Sequence, residues 1–254
     1  MNTYKYIIDT FEKKGAAYFV LIDPDKTYGQ KLTEFVKIAE SAGVDGFLIG
    51  GSLMLSGDLE KSIKTVKAAS KLPCIIFPGG VNQVSPEADA LLFISLISGR
   101  NASQLIGEHV LAAPLIKKYG IEPISTGYML IESGKVTTAE YVSGTKPIPR
   151  NKAEIAVATA LAAEYLGMKF VYLESGSGAE LSVPDDMIKL VAKHCTIPII
   201  AGGGIRTSKD ANLKVLAGAK VIVTGNYFED ENKWPLLKEF AEAIHVKEIK
   251  IITT

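Results

Sequence analysis

Short apolar segments rich in β-branched and aromatic residues recur along the 254-residue chain and alternate with amphipathic stretches of helical length. Each apolar segment is continuous, without alternating polar residues, which is typical of parallel strands covered on both faces. This order of strands and helices predicts an α/β fold with one parallel sheet. The eight predicted strands are 18–22, 46–49, 74–77, 91–94, 123–131, 170–173, 198–200 and 221–223, and the predicted helices are 2–14, 30–41, 58–70, 102–118, 152–166, 184–194, 208–217 and 232–244.

The number of strands and the length of the chain favour closing this sheet into a barrel. A (β/α)8 barrel, or TIM barrel, has eight parallel strands and about 250 residues. The hydrophobic content of 47% is sufficient for a core of that size. We therefore predict a single (β/α)8 TIM barrel over residues 1–254 with an extra N-terminal helix, and an open doubly wound sheet is the alternative.

Two glycine-rich sequences follow the seventh and the eighth predicted strands. The first is Gly202-Gly203-Gly204-Ile205-Arg206, and the second is Thr224-Gly225-Asn226. In (β/α)8 barrels the loops after these two strands commonly bind phosphate through main-chain N–H groups and a helix N-terminus. Glycine-rich turns also end strands that bind nothing. Because two such turns follow consecutive strands, the pair favours a phosphorylated ligand.

Polar side chains follow several other predicted strands, at the edge where the active sites of such barrels lie. Asp23, Asp25 and Lys26 follow the first strand, and carboxylates beside an ammonium group suit a divalent cation and a phosphate group. Ser52 follows the second strand and offers a hydroxyl. Glu174 ends the sixth, and we predict that it orients or deprotonates a substrate hydroxyl. Asp-Pro-Asp also occurs in ordinary turns, and carboxylates also form surface ion pairs.

Segment 132–150 is a long polar stretch between the fifth predicted strand and its helix. Loops of this length in compact domains are usually functional covers or disordered insertions. The segment carries Tyr141, Lys146 and Arg150, which favours a lid that closes on a charged ligand. Disorder is the alternative.

Charge, cysteine and histidine content argue against other classes of function. Lys and Arg number 28 and so do Asp and Glu, which argues against broad binding to nucleic acid. Cys74 and Cys195 lie beside apolar strands, which argues against a disulfide framework or a zinc site and favours a cytoplasmic location. His109, His194 and His245 fall in predicted helices, where packing or surface roles are expected. The sequence does not open with a charged and then apolar stretch and has no apolar run of about 18 residues, so we expect neither secretion nor a membrane span.

Five motifs follow one another along nearly the whole chain. They are Asp23-Pro24-Asp25-Lys26, Gly50-Gly51-Ser52, Tyr172-Leu173-Glu174-Ser175-Gly176-Ser177-Gly178, Gly202-Gly203-Gly204-Ile205-Arg206 and Thr224-Gly225-Asn226. In this order they resemble the geranylgeranylglyceryl phosphate synthase family, which includes heptaprenylglyceryl phosphate synthases. The sixth-strand motif departs from the Tyr-x-Glu-Tyr-Ser-Gly form of the first group of that family and resembles the second, larger-chain group.

The resemblance implies a prenyltransferase of ether-lipid biosynthesis. The 3-hydroxyl of sn-glycerol 1-phosphate would attack C1 of a long prenyl diphosphate, geranylgeranyl diphosphate being the first expectation, and release diphosphate. It implies Mg²⁺ bound by Asp23 and Ser52, and a homo-oligomer with at most peripheral contact with a membrane. We expect Asp23 and Glu174 to be catalytic. The glycerol phosphate would contact Tyr172, Leu173, Glu174, Ser175, Gly176, Ser177, Gly178, Gly203, Gly204, Gly225 and Asn226.

A long prenyl tail requires an apolar channel that leads away from the diphosphate. Segment 91–118 is a candidate lining, although ordinary packing of a helix on the barrel also explains its composition. The residues in question are Leu105, Ile106, Gly107, Leu111, Ala112 and Ala113.

Three other functions fit the phosphate-type glycines. A phosphosugar isomerase would place an acid and a base on opposite sides of the barrel, but the fifth strand offers Ser125 and Thr126 where a carboxylate is needed. A Schiff-base aldolase requires a lysine at the C-terminal end of a strand, whereas Lys169 precedes the sixth strand. A non-catalytic phosphate-binding barrel is the third alternative, and the carboxylates Asp23 and Glu174 argue against it.

Overall fold

A computed structural model describes residues 2–246 and forms a closed barrel of eight parallel strands, each paired with its neighbours in chain order. The last strand closes the barrel on the first, with Tyr18 paired to Ile222. The predicted closed barrel is therefore confirmed. The strands are β1 Ala17–Ile22, β2 Gly46–Ile49, β3 Cys74–Ile76, β4 Ala90–Leu96, β5 Glu122–Leu130, β6 Phe170–Glu174, β7 Ile199–Gly202 and β8 Val221–Thr224.

Helices cover the outside of the barrel, and the connection between β3 and β4 has none within the described residues. The outward side chains of the strands and the inward faces of the helices form one continuous apolar layer. This packing is what holds short strands in a closed ring. The helices are α1 Thr3–Lys14, α2 Gly29–Ala42, α3 Leu59–Ala69, α4 Glu108–Tyr119, α5 Thr138–Ser143, α6 Ala153–Tyr165, α7 Asp185–His194, α8 Ser208–Leu216 and α9 Leu237–Ile244.

Two predicted helices are not regular along their whole length. The helix predicted at 102–118 begins as a π-helical turn, Ser103–Gly107, before α4. The helix predicted at 232–244 begins as a 3₁₀ segment, Glu231–Leu236, that contains Pro235, and only its second half is α-helical. Proline has no N–H to continue the i to i−4 ladder, which explains why the regular helix starts after it.

Segment 132–150, predicted as a lid or a disordered insertion, contains the short helix α5. Thr137 caps this helix by accepting the main-chain N–H of Glu140, and Gly144 ends it in the left-handed conformation. A β-bridge between Ile131 and Ile148 joins the two ends of the segment. The segment is thus a short helix supported at its base.

The interior of the barrel is filled by side chains, and α1 covers its lower end. Ile7 of α1 is buried with the inward side chains of the strands, and the Tyr4 ring lies edge-on to Phe170 at 5.4 Å. The carboxylate of Glu122, where β5 begins, accepts the N–H of Thr3 at 2.6 Å. The opposite end, where the strands finish, remains open for a ligand.

The two cysteines and the histidines do not line the main cleft at that open end. Cys74 and Cys195 are buried and unpaired. His109 is buried with its Nε2 3.0 Å from Ser95 Oγ, and His245 Nε2 is 2.8 Å from Asp45 Oδ2. Within the part of the chain that the structure describes, no helix is both long and apolar enough to cross a membrane.

Candidate active site

A cleft of about 590 Å³ opens at the C-terminal ends of the strands. Loops after β1, β2, β6, β7 and β8 line it, together with Thr138 and Ala139 of α5. The structure thus brings together residues that are up to about 200 positions apart in the chain. The predicted site residues that line the cleft are Asp23, Ser52, Tyr172, Glu174, Gly176, Ser177, Gly178, Gly203, Gly204, Gly225 and Asn226.

Two predicted site residues do not line the cleft. The side chain of Leu173 is fully buried in the apolar layer between barrel and helices. Strand residues point alternately inward and outward, so Leu173 faces away from the interior while Tyr172 and Glu174 face into it. Ser175 is also buried, and its Oγ has no hydrogen-bond partner within residues 2–246.

Glu174 is the most deeply buried carboxylate of the cleft, at 5% exposure. Its Oε1 accepts the N–H of Gly176 at 2.7 Å, which fixes the side chain against the loop that follows β6. Burial raises the pKa of Glu174 to about 7, because desolvation outweighs this hydrogen bond. A carboxylate with a pKa near neutrality is suited to accept a proton from a substrate.

Two tyrosines surround this carboxylate. Tyr128 and Tyr172 pack edge-on at 5.3 Å, and burial followed by the negative charge of Glu174 raises the pKa of both phenols. The hydroxyl of Tyr172 is buried next to the Glu174 carboxylate, but it has no well-formed hydrogen bond to an atom in the described part of the chain. Buried polar atoms of this kind are normally satisfied, so a ligand hydroxyl or phosphate is the expected partner.

Main-chain amides of the loops after β6, β7 and β8 form an anion cradle in the same cleft as Asp23. Gly176 and Gly178 have φ of +97° and +70°, and alternation with left-handed residues points successive N–H groups to one side. The amides of Ser177, Gly178, Gly204 and Asn226 donate to no acceptor within residues 2–246. These free donors suit the oxygens of a phosphate group.

Gly203 and Gly204 allow two loops to touch, in addition to lining the cleft. A Cβ on Gly203 would lie 2.2 Å from Glu174 Oε1 and 2.7 Å from the N of Gly176. A Cβ on Gly204 would lie 2.8 Å from the N of Ser182. Both residues have positive φ, so each position excludes side chains by space and by backbone conformation.

We expect Gly203→Ala to damage activity far more than a glycine substitution of equal backbone strain elsewhere. The added methyl group displaces the Glu174 carboxylate, and misplacement of a reacting group by about 1 Å costs about 10²-fold in rate. Gly167→Ala is the matched control, since Gly167 has φ +76° and no atom within 4 Å of the new Cβ. Steady-state turnover and thermal unfolding of both variants test this, and equal loss of kcat/KM in the two contradicts it.

The loop after β1 connects the two sides of the cleft through Glu229. Lys26 Nζ lies 3.0 Å from Glu229 Oε1 and 3.7 Å from Asp23 Oδ2. Glu229 Oε2 in turn accepts the side-chain N–H of Asn226 at 3.0 Å. Glu229 was not among the predicted site residues, although its position three residues after Asn226, close to the end of β8, is a usable signal.

Asp25 does not face a cation, in contrast to the reading of Asp23 and Asp25 as a pair. Its carboxylate accepts the main-chain N–H groups of Leu55 and Ser56, each at 2.8 Å, and that of Gly57. These hydrogen bonds lower the pKa of Asp25. Asp25 therefore holds the β2–α3 loop in which Ser52 lies.

The oxygen atoms around Asp23 are suitable ligands for Mg²⁺. Asp23 Oδ1 accepts the N–H of Asp25 at 3.0 Å, while burial raises the pKa of this carboxyl group. Among the described residues no three His, Cys, Asp or Glu side chains cluster, so further ligands would come from Ser52, water and substrate, as is usual for Mg²⁺. Five acidic residues line the cleft against three basic ones, namely Asp23, Asp25, Glu174, Glu229 and Asp230 against Lys26, Arg206 and Lys233.

A narrow apolar groove leads away from Ser52. It has a volume of about 70 Å³ and is lined mainly by Phe77, Ile94, Leu96, Leu130 and Val142. A second recess of about 60 Å³ shares residues with it, among them Pro78 and Gln104. The two recesses together form an apolar path between β3, β4 and α5.

Segment 91–118 contributes to both recesses, but mostly through other residues than the six named from the sequence. Of the six residues proposed from segment 91–118, only Ala112 lines either recess. Ile106 and Leu111 are 59% and 64% exposed, because the π-helical turn and α4 present them to the outside. The structure instead lines the path with inward residues of β4 and β5.

Comparisons with known proteins agree with this geometry. Residues 8–244 match the model of the PcrB family. The geranylgeranylglyceryl phosphate synthase of Chitinophaga pinensis is 46% identical over 242 residues, which are 95% of each chain. That of Methanosphaera stadtmanae is 44% identical and covers 96% of this chain and 100% of its own.

A solved structure gives the same result. The (S)-3-O-geranylgeranylglyceryl phosphate synthase of Thermoplasma acidophilum, crystallised with its substrate sn-glycerol-1-phosphate, superposes with a TM-score of 0.89. It is 34% identical and the match covers 96% of this chain and 99% of that one. A family match over most of the chain, with relatives of this identity, leaves one conclusion: the chain belongs to the PcrB family.

Proposed function

We propose that this protein is a Mg²⁺-dependent prenyltransferase that joins sn-glycerol 1-phosphate to a long-chain prenyl diphosphate, geranylgeranyl diphosphate first, in ether-lipid biosynthesis. One observation carries the proposal. A single cleft holds an amide cradle with unpaired donors on one side and Asp23 with Ser52 on the other, with Glu174 lining the same cleft. The names of the relatives support the same reaction.

The glycerol phosphate occupies the side of the cleft formed by β6, β7 and β8. Its phosphate oxygens accept hydrogen bonds from the free main-chain N–H groups of Ser177, Gly178, Gly204 and Asn226. Its hydroxyl groups reach Glu174 and the unpartnered hydroxyl of Tyr172. The Thermoplasma acidophilum relative was crystallised with the same compound, which supports this assignment.

The prenyl diphosphate places its headgroup on the opposite side, beside β1 and β2. Asp23 and Ser52 would hold Mg²⁺, which supplies positive charge against the departing diphosphate. Lys26 adds a second cation next to Asp23. The tail follows the apolar groove that begins at Ser52 and passes Phe77 and Ile94.

The reaction requires one bond to form and one to break at the same carbon. The 3-hydroxyl oxygen bonds to C1 of the prenyl chain, while the bond from C1 to the diphosphate oxygen breaks and its electron pair leaves with the diphosphate. Glu174 accepts the hydroxyl proton as the new bond forms. The alcohol is a weak nucleophile, so the cradle contributes mainly by holding it in line with C1.

We also propose that the protein is a homo-oligomer of the cytoplasm. The outward face of α6 exposes Ile155 and Tyr165, and Leu166 follows at 74% exposure. Apart from Glu154, Thr159 and Glu164 this helix is apolar, and exposed apolar side chains on it would be covered by a second copy of the chain. Light scattering during gel filtration tests the assembly, and a particle of 27.2 kDa contradicts it.

Product analysis tests the whole proposal. Purified protein is incubated with sn-glycerol 1-phosphate and prenyl diphosphates of graded length, with Mg²⁺ or with EDTA, and ether products are identified by mass spectrometry. We expect product only with Mg²⁺. Turnover in EDTA contradicts the role of the metal, and binding of glycerol phosphate without product at any chain length favours the non-catalytic barrel.

A further inference from the structure

Arginine is rare in this chain, and two of its arginines converge on one loop. Only three of the 28 basic residues are arginines: Arg100, Arg150 and Arg206. Arg150 and Arg206 both donate to main-chain carbonyls of the β6–α7 loop, residues 175–184. That loop carries two of the four amides assigned above to the phosphate of glycerol phosphate, those of Ser177 and Gly178.

Arg206 links the two loops that form the cradle. It follows Gly203 and Gly204 in the β7–α8 loop, and its two terminal nitrogens donate to Ala179 O at 2.5 Å and Glu180 O at 2.9 Å. The acceptors come directly after Gly178 in the chain. Arg206 therefore joins the backbone of one half of the cradle to the other.

Arg150 holds the far side of the same loop. One terminal nitrogen donates to Ser182 O and the other to Glu132 O, both at 2.9 Å. A main-chain hydrogen bond from Leu181 N to Ser133 O, at 3.2 Å, runs beside it. The loop is thus attached to β7 through Arg206 and to segment 132–150 through Arg150.

There is a physical reason for arginine side chains to donate to the carbonyl groups of this loop. A loop that points successive N–H groups at an anion turns its carbonyl groups away from it, and those carbonyls need donors of their own. A guanidinium group supplies several N–H donors in one rigid plane, which an ammonium group does not. Neither guanidinium forms an ion pair with a carboxylate among the described residues, so neither charge is neutralised, and that of Arg206 lines the cleft.

We propose that Arg206, assisted by Arg150, is a positioning residue that holds the β6–α7 loop in the conformation that binds glycerol phosphate. This inference rests on the proposed function. Because Arg206 also lines the cleft, its charge favours the anion, while its planar hydrogen bonds fix the amides. The prenyl diphosphate site, on the other side of the cleft, does not depend on it.

Steady-state kinetics of Arg206→Ala and Arg206→Lys test this, together with calorimetric binding of sn-glycerol 1-phosphate alone. We expect Arg206→Ala to raise KM and Kd for glycerol phosphate by about 10- to 100-fold, since charge-assisted hydrogen bonds are lost. KM for prenyl diphosphate should change less than about twofold, within ordinary variation. Arg206→Lys keeps the charge but not the planar donors, so it should remain at least about tenfold impaired.

Arg100→Ala is the matched control. The Arg100 guanidinium also donates to a carbonyl, Gly99 O at 2.7 Å, but in the loop after β4, so both KM values should stay unchanged. A wild-type KM in Arg206→Lys overturns the role of the planar donors. Equal rises in both KM values with a lowered Tm show a general structural role and also overturn the proposal.

The outcome separates this inference from the proposed function. If the wild-type protein binds glycerol phosphate and forms ether product while Arg206→Ala matches it, only the positioning role fails. If the wild-type protein neither binds glycerol phosphate nor forms product, the proposed function itself fails.

Discussion

Replacing Glu174 with Gln is expected to lower kcat by about 10²- to 10⁴-fold, the usual contribution of a positioned general base. Glutamine has nearly the same shape, and its carbonyl oxygen can still accept the N–H of Gly176 that Glu174 accepts at 2.7 Å. The cradle therefore keeps its geometry, and KM for glycerol phosphate should change little. What the variant loses is the ability to accept the hydroxyl proton.

The pH dependence of the wild-type enzyme should follow the same group. Glu174 acts as a base only when ionised, and burial raises its pKa to about 7, so kcat should rise with pH through about 7 and then level off. The Glu174→Gln variant should lose this rise. Rate profiles between pH 5.5 and 9 measure both, and a wild-type profile that is flat across about pH 7 contradicts the assignment.

Stability should change in the opposite direction to activity. The folded-state pKa of Glu174 is raised from its ordinary value of 4.5, so the folded protein retains a proton that the unfolded chain releases. This contribution to stability is present below pH 4.5 and is lost as pH rises through about 7. At pH 8, Glu174→Gln should therefore unfold with a free energy higher than wild type, by about 1 to 3 kcal/mol.

These two readouts together distinguish a catalytic carboxylate from a structural one. A variant that is less active and less stable at pH 8 would indicate that Glu174 mainly supports the fold. Glu60→Gln, a change at an exposed carboxylate paired with Lys64 on α3, serves as the control for general effects of the substitution. It should leave both the rate and the free energy of unfolding within ordinary variation.

The sequence predicted the barrel and most of the site because both depend on local patterns. Strand ends of a parallel barrel meet at one edge, so Glu174, Gly203 and Asn226 could be placed together from their positions after apolar segments. The outward direction of the Leu173 side chain could also have been predicted, since strand residues point alternately inward and outward. Helix α5 carried a readable signal as well, with Thr137 and Glu140 at capping-box spacing.

What the sequence did not show depends on contacts between distant segments. Asp25 accepts amides about 30 residues away, and nothing near Asp25 in the chain distinguishes that role from metal binding. Lys26 meets Glu229 across 203 positions. The apolar groove likewise depends on which residues of β4, β5 and α5 face one another, and composition alone does not distinguish the lining residues of segment 91–118, such as Ile94 and Leu96, from its outward ones.

Replacing Asp23 with Asn is the second change with a large expected effect, about 10²- to 10³-fold in kcat/KM for prenyl diphosphate. Asparagine keeps an oxygen for the N–H of Asp25, which is 3.0 Å from Asp23 Oδ1, so the loop after β1 is retained. The negative charge that attracts the cation is lost. Asp25→Asn is a contrasting variant, because the Asp25 carboxylate accepts three amides of the loop that carries Ser52, and we expect it to lower Tm as well as the affinity for the cation, whereas Asp23→Asn should leave Tm nearly unchanged.

The affinity for inorganic diphosphate should change in opposite directions with and without Mg²⁺ in Asp23→Asn, which rate measurements alone do not reveal. Five acidic residues line the cleft against three basic ones, so without a divalent cation an anionic headgroup is repelled. Asp23→Asn should then bind diphosphate more tightly than wild type in EDTA. In excess Mg²⁺ it should bind diphosphate more weakly than wild type, so the order of the two affinities reverses between the two titrations. Because a change that only disturbed the loop would weaken binding in both conditions, calorimetry showing no reversal would contradict the assignment of Asp23 to the cation.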